Sequence, residues 1–280
     1  MANLEHLQRI STQIRRDIVR MIHAVQSGHP GGSLGCVDLL TALYYEVMDH
    51  DPGFNKEGKN EDILFVSNGH ISAAWYSALA RSGYFQKEEL GTFRKLGTRL
   101  QGHPSTHEGL PGIRVASGSL GQGLSVACGA ALGKKLDNDK NTVYVLMGDG
   151  ELQEGQIWEA AMSAAHYKLD NLIGIVDWNG QQIDGSNEDV ISLGDLRAKW
   201  KSFGWKVFET DGNDIELLIN TLNKAKTWTV DHKPVVILMK TEMGFGVDFM
   251  MGSHKWHGIP PNDEQLEIAL QQLPETIGDY

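Results

Sequence analysis

Residues Thr142–Gln181 read TVYVLMGDGELQEGQIWEAAMSAAHYKLDNLIGIVDWNGQ. An apolar run, Val143–Met147, stops at Gly148-Asp149-Gly150. A helical stretch follows, then a second apolar run, Leu172–Val176, ending at Asp177-Trp178-Asn179. Two buried parallel strands joined by a crossover helix are written this way. Such a unit sets the two strand ends side by side, so Asp149 and Asn179 are expected at one edge of a sheet, where open α/β sheets bind ligands. A carboxylate and an amide oxygen beside glycine backbone suit a Mg2+ ion carrying a diphosphate. The Gln181 carbonyl, just beyond Asn179, is a third candidate ligand. Gly148 and Gly150 let the backbone approach closely. A helix starting near Gln153 would aim its N-terminal N–H groups at the phosphates.

The chain has 280 residues, 41% of them hydrophobic and 22% charged, with a net charge of -11. That length allows one large α/β domain or two small ones. The acidic balance argues against general nucleic-acid binding, which needs a basic surface. A local positive pocket for a phosphorylated small molecule stays open. Cys36 and Cys128 sit in apolar helical patterns and are expected in the core, with no disulfide and no zinc motif. The first 23 residues are amphipathic and charged, unlike a secretory signal. No apolar run reaches membrane-spanning length. A soluble cytoplasmic protein is the expectation.

Outside the opening unit, Leu4 to Val25 carries apolar residues at three- and four-residue steps, a first amphipathic helix. Gly28 is expected to stop it, with Pro30 forbidding continuation. A second helix is expected from about Val37 to Met48. Ile63–Val66 reads as a strand ending at Ser67-Asn68-Gly69-His70, and Ala73–Ala80 as helix. Gly97–Gly123 is a long loop, of a length that is usually functional or disordered. Leu124–Leu136 reads as helix. A polar loop runs to Ser192. Then come a helix near Asp195–Phe203, a strand Lys206–Phe208, a helix from about Asp214 to Lys226 and a strand Pro234–Met239. A loop Gly244–Pro261 and a polar tail from about 262, with a short helix Asp263–Leu273, complete the chain. Alternating strands and helices argue for a single α/β module over 1–280, with a mostly parallel sheet and helices on both faces.

Four histidines, His29, His70, His103 and His257, occur in loops beside glycine or proline. Imidazoles near neutrality donate to phosphate and sugar hydroxyls and move protons. His6, His23 and His232 lack this context; His50, His107, His166 and His254 are undecided. Glu154 and Glu159 are five residues apart after the GDG turn, on partly different faces, and taken alone fit a solvated helix face.

The set SGHPGG, SNGH, QGHP, SGSLGQG, GDGELQEGQIWEA, DWN and WHG, in order from about residue 10 to 260, resembles the N-terminal half of a transketolase. The resemblance implies thiamine diphosphate and Mg2+ (Ca2+ or Mn2+ as substitutes) and transfer of a two-carbon ketol unit from a ketose phosphate to an aldose. It implies that Asp149, Asn179 and the Gln181 carbonyl hold the metal. His70, Gly150 and His257 would contact the diphosphate, beside Gly148. The Gly118–Leu120 backbone would lie against the aminopyrimidine. His29, His103 and His257 would line the channel to the reacting carbon. Glu154 and Glu159 would join a carboxylate network between two cofactor sites at a subunit interface. Residues 117–119 read Ser-Gly-Ser where many relatives have Thr-Gly-Pro, a departure that bears on substrate preference.

The chain stops at Tyr280, where a full transketolase continues into a pyrimidine-binding module and a further C-terminal domain. The resemblance is therefore to the N-terminal chain of a split enzyme. It implies a C-terminal partner chain supplying that module, an α2β2 heterotetramer and sugar phosphate substrates. The polar stretch after Pro261 reads as a natural end. The α chain of a 2-oxoacid dehydrogenase shares the GDG…N pattern and the split-chain habit, though the SGHPGG, SNGH and GHP histidines speak against it; a non-catalytic nucleotide- or phosphate-binding regulatory subunit is an alternative of a different class.

Overall fold

The computed structural model describes residues 3–228 and 230–280. Its central sheet has five strands in the order β1-β2-β3-β7-β6, all parallel. These are β1 (Ile63–Val66), β2 (Val143–Gly148), β3 (Leu172–Trp178), β6 (Lys206–Asp211) and β7 (Val235–Lys240). A two-stranded antiparallel hairpin, β4 (Gln181–Gln182) and β5 (Gly185–Ser186), follows β3. The helices are α1 (Leu4–Val25), α2 (Pro30–Gly35), α3 (Val37–Ala42), α4 (Ser72–Arg81), α5 (Gln122–Leu136), α6 (Gly155–His166), α7 (Asn187–Ile191), α8 (Leu196–Ser202), α9 (Ile215–Lys226) and α10 (Asp263–Gln272).

Side-chain alternation along each strand divides the core between the two faces of the sheet. Leu64, Tyr144, Leu146, Ile173, Ile175, Val235 and Ile237 pack with α1, α3, α4 and α9. Ile63, Phe65, Val143, Val145, Met147, Val236 and Leu238 pack with α5, α6 and α8. Each fully buried aliphatic side chain contributes about 1.5–3 kcal/mol. The α/β class with a parallel sheet covered on both faces is therefore as expected.

Several boundaries differ from expectation. Gln26, not Gly28, takes the left-handed cap of α1, with φ 48°. α1 does not continue through Pro30, and Pro30 itself opens a new helix: it occupies the first turn of α2, where its missing N–H leaves no bond unmade. The expected helix over 37–48 is α3 continued by one π-helical turn, Leu43–Val47. The polar loop before Ser192 holds the β4–β5 hairpin and α7. After GDG a 3-10 turn, Gly150–Gln153, comes first, and α6 begins at Gly155 rather than near Gln153.

The segment after Pro261 packs back on α1. Arg16 pairs with Asp279 at 2.8 Å, Thr276 donates its N–H to Gln13 Oε1 at 2.9 Å, and the Arg20 guanidinium lies 4.2 Å from the Tyr280 ring centre. Among the described residues no helix is long and apolar enough to cross a membrane. Cys36 is buried and Cys128 half-buried, both free.

Candidate functional site

A cavity of about 350 Å3 opens at the C-terminal ends of β1, β2 and β3. The register that pairs Gly148 with Asp177 puts the two following turns in contact. Asp149 donates its N–H to the Asp177 carbonyl at 3.1 Å, and Gly180 donates its N–H to Asp149 Oδ2 at 2.6 Å. Asp149 Oδ1 accepts from the Gly150 N–H at 2.7 Å. Asn179 donates its amide to Asp177 Oδ2 at 3.0 Å and accepts the Gln181 N–H on Oδ1 at 2.9 Å. Asp149 and Asn179 thus meet, as adjacent parallel strands demand.

Charge is concentrated on this edge. Burial, and then the charge of Asp177, push Asp149 up to about 7; the Gly180 N–H, the Asn187 side chain and the Gly150 N–H oppose the rise. Asp177 is also raised, chiefly by burial, while Thr241 donates its hydroxyl to it. Two acidic groups sharing a buried edge are a seat for positive charge.

One residue with no mark in the sequence holds three segments of this edge together. Glu151 is 2% exposed. Its carboxylate accepts the Ser67 hydroxyl at the end of β1, the Gly121 N–H at the start of α5 (2.8 Å) and the Gly148 N–H at the end of β2 (3.2 Å). Burial raises its pKa, and these three donors oppose the rise. Nothing in GDGELQEG distinguishes a buried Glu151 from the exposed Glu154 three residues on.

Across the cavity stand the four loop histidines. The His29 ring centre lies 5.0 Å from His70, 5.5 Å from His257 and 6.4 Å from His103; His70 and His257 are 5.3 Å apart. Burial is the first cause that lowers all four. It takes His29 to about 4, helped by His257, Arg94 and His103, and His70 to about 3, helped by His29, His257 and His103. His257 and His103 are lowered as well. The four rings are neutral at pH 7. Buried Nδ1 atoms of His29 and His257, and Oδ1 of Asn68, have no hydrogen-bond partner. All three residues line the cavity, with these particular atoms enclosed by protein.

The cavity wall also includes Gly118, Leu120, Gly148, Gly150, Glu154 and the Gln181 turn. Gly118 has φ +111°, and a Cβ there would come within 2.4 Å of the His103 ring, so only glycine admits that histidine. Glu159 is not brought to the cavity. It lies exposed on α6, whereas Glu154, also exposed, immediately precedes α6 and lines the wall. Of the undecided histidines, His50 is tied to the Tyr84 hydroxyl and the Tyr44 carbonyl, away from the site. Asp177, from the DWN stretch, also lines the wall; Gln182, Ile183 and Met243, which line it too, and Asn187 carry no distinguishing mark in the sequence.

Comparison with known proteins agrees with this architecture. The family pattern described as "Transketolase, thiamine diphosphate binding domain" matches residues 7–274. The chain belongs to the transketolase family. It is 40% identical over 274 residues to an apulose-4-phosphate transketolase subunit of Phocaeicola vulgatus, covering 98% of this chain and 96% of that one. It is 39% identical over 267 residues to a 6-deoxy-6-sulfo-D-fructose transketolase subunit of a Clostridium species, covering 95% and 96%. The solved transketolase of Campylobacter jejuni superposes with a TM-score of 0.90 at 36% identity, covering 97% of this chain but 43% of that one. The chain thus spans less than half of the single-chain transketolase and nearly all of the separate subunits. Membership of this family sets aside the 2-oxoacid dehydrogenase reading.

Proposed function

We propose that this chain is the diphosphate-binding component of a two-chain transketolase. It transfers a two-carbon ketol unit between sugar phosphates with thiamine diphosphate and Mg2+. The observation that carries the reading is the juxtaposition of the Asp149–Asn179 edge with four neutral imidazoles across one cavity.

The residues fit a divalent cation. Asp149 is held high by burial and by Asp177, and a bound cation relieves that cost. Among the described residues no three His, Cys, Asp or Glu side chains group to hold a metal. A cation here would rest on Asp149, the Asn179 amide oxygen and the Gln181 carbonyl, with phosphate and water completing the shell. That is the habit of Mg2+, for which Ca2+ or Mn2+ can substitute. His70, His257 and the Gly148–Gly150 turn are the diphosphate contacts, and the Gly118–Leu120 backbone faces the pyrimidine.

When bound, the cofactor supplies the carbon nucleophile and electron sink that cleave and form the ketol bond. This chain's part is to bind, orient and move protons. His29, His103 and His257 are neutral, so each ring carries one N–H donor and one acceptor nitrogen. They can hold donor hydroxyls and take or return a hydroxyl proton as carbon–carbon bonds break and form. Glu154 and Glu159 are exposed and free to meet a neighbouring chain.

No described residue stands as the carboxylate for the pyrimidine ring. The names of the two separate-subunit relatives, each called a transketolase subunit, support a partner chain carrying that module. An α2β2 assembly in the cytoplasm is the arrangement we propose. The test is ketol transfer from a panel of ketose phosphates. The chain would be assayed alone and co-expressed with a pyrimidine-module chain from an adjacent reading frame, with thiamine diphosphate and Mg2+ present. Turnover is expected only with both chains. Robust turnover by this chain alone would remove the two-chain reading. Silence of the pair toward every donor would favour a non-catalytic phosphate-binding role.

A further inference from the structure

Arg94 is a half-buried cation set between the histidine loops. Its backbone has φ 56°, in the left-handed region, and its N–H bonds to the Leu100 carbonyl at 2.8 Å. A non-glycine residue is strained in that region. The turn directs the guanidinium between two histidine-bearing loops. Nη1 donates to Ser27 Oγ at 2.8 Å, two residues before His29. Nη2 donates to the Gly102 carbonyl at 3.2 Å, one residue before His103. The plane lies on Gly102: a Cβ there would sit 2.9 Å from Arg94 Cζ. Nε is buried with no partner. Neither hydrogen-bond partner is charged, so nothing in the clamp neutralises the guanidinium.

We propose that Arg94 is a positioning residue that fastens the His29 turn to the His103 turn and leaves its positive charge uncompensated beside both imidazoles. A structural arginine is ordinarily paired with a carboxylate, as Arg15 is with Asp38 and Arg81 with Asp17 in this molecule. Here the fork instead meets a hydroxyl and a carbonyl from two separate loops. Lysine cannot do this, since one ammonium does not span both acceptors in a fixed plane. The charge has a second effect. After burial, Arg94 is the next cause lowering His103; for His29 it follows burial and His257, ahead of His103. The groups facing His29 are His70, His257, His103 and Arg94; those facing His103 are His29, His70 and Arg94. No acidic group is among them. Arg94's own pKa is lowered by burial, opposed only by Tyr76. The clamp therefore adds to burial in disfavouring the charged form of both rings while fixing the gap between them.

The inference rests on the ketol-transfer reading only for what the two rings contact. Its test separates the two. Histidine ring titrations would be followed by NMR in the 280-residue chain, with His29 and His103 assigned by H29N and H103N. In Arg94→Met both midpoints should rise toward the ordinary imidazole value. In Arg94→Lys the charge remains and the fork is lost, so the midpoints should stay nearer wild type. In the assembled enzyme both variants should lose roughly 10–100-fold in kcat/KM for the sugar, with thiamine diphosphate affinity kept. The acid limb of the kcat/KM profile should move up in Arg94→Met alone. Unmoved His29 and His103 midpoints in a folded Arg94→Met chain would overturn the proposal. If that variant does not fold, wild-type sugar kinetics in Arg94→Lys would overturn it instead. A wild-type assembly that performs no ketol transfer would sink the functional reading and leave the titrations standing.

Discussion

The two sides of the cavity are built on opposite principles. On the β2–β3 edge the polar atoms are engaged by the chain itself. Both Asp149 oxygens accept main-chain N–H groups, Glu151 accepts three donors, and Asn179 uses both ends of its amide. On the opposite wall the His29 and His257 Nδ1 atoms have no partner at all. The first side is preorganised, so a ligand meets groups already in place and little ordering cost remains. The second side is built from packed imidazole rings rather than from a hydrogen-bonded frame. One side suits an invariant group such as a cation and diphosphate, and the other suits hydroxylated ligands that vary.

The strongest test of this contrast is Asp149→Ala. It removes the one charged ligand proposed on the preorganised side. Outer-shell changes around metals cost about 10–100-fold in affinity. Loss of this residue should cost more than roughly 100-fold in Mg2+-dependent thiamine diphosphate binding, read by calorimetry, with circular dichroism unchanged. Unaltered cofactor affinity would refute the metal edge.

Glu151→Gln should come next. No orientation of a carboxamide satisfies Ser67, Gly121 and Gly148 together, because its NH2 would confront an N–H. Leaving a buried donor unmet costs about 1–3 kcal/mol. Urea unfolding should show that loss, accompanied by weaker cofactor binding. A chain with wild-type stability would show that the three segments do not depend on this carboxylate.

The histidine wall should announce itself in acid. His29 near 4 and His70 near 3 sit below the unfolded value of about 6.5. The unfolded chain therefore binds more protons, and their contribution is present above about pH 6.5 and lost as pH falls toward about 4. The thermal midpoint of wild type should drop over that window more steeply than that of His29→Asn or His70→Asn. Parallel curves would mean the rings are not buried in the folded chain. Smallest of all, Glu159→Gln should leave the isolated chain within about 0.5 kcal/mol of wild type, since the residue is exposed on α6. Its effect should surface only in the two-chain assembly.

The same contrast explains what the sequence disclosed. Val143–Met147 and Leu172–Val176 are continuous apolar runs bounded by Gly, Asp and Asn, and buried parallel strands admit little else. Their adjacency then placed Asp149 beside Asn179. The short helix at Pro30–Gly35 was hidden because Pro-Gly-Gly reads as a breaker. It exists because proline fits a first turn and because Gly31 packs where a Cβ would lie 2.5 Å from Met243 Cγ. Glu151 and Arg94 were hidden for a different reason. Each acts by bridging segments distant in sequence, and a charged residue within three positions of an exposed one of the same charge carries no local mark of that. The histidine loops were visible as Gly-His and His-Pro pairs, but their convergence on one cavity depends on the whole sheet.

The return of residues 263–280 across α1 bears on how the molecule assembles over time. Arg9, Gln13, Arg16 and Arg20 find partners more than 250 positions away, among them Thr276, Asp279 and Tyr280. Closing so long a loop is entropically slow, and contacts of such separation form late. During synthesis α1 is made before residues 263–280, and its basic face stays uncovered until that segment follows. Until then it is the segment most exposed to chaperones and to wrong partners.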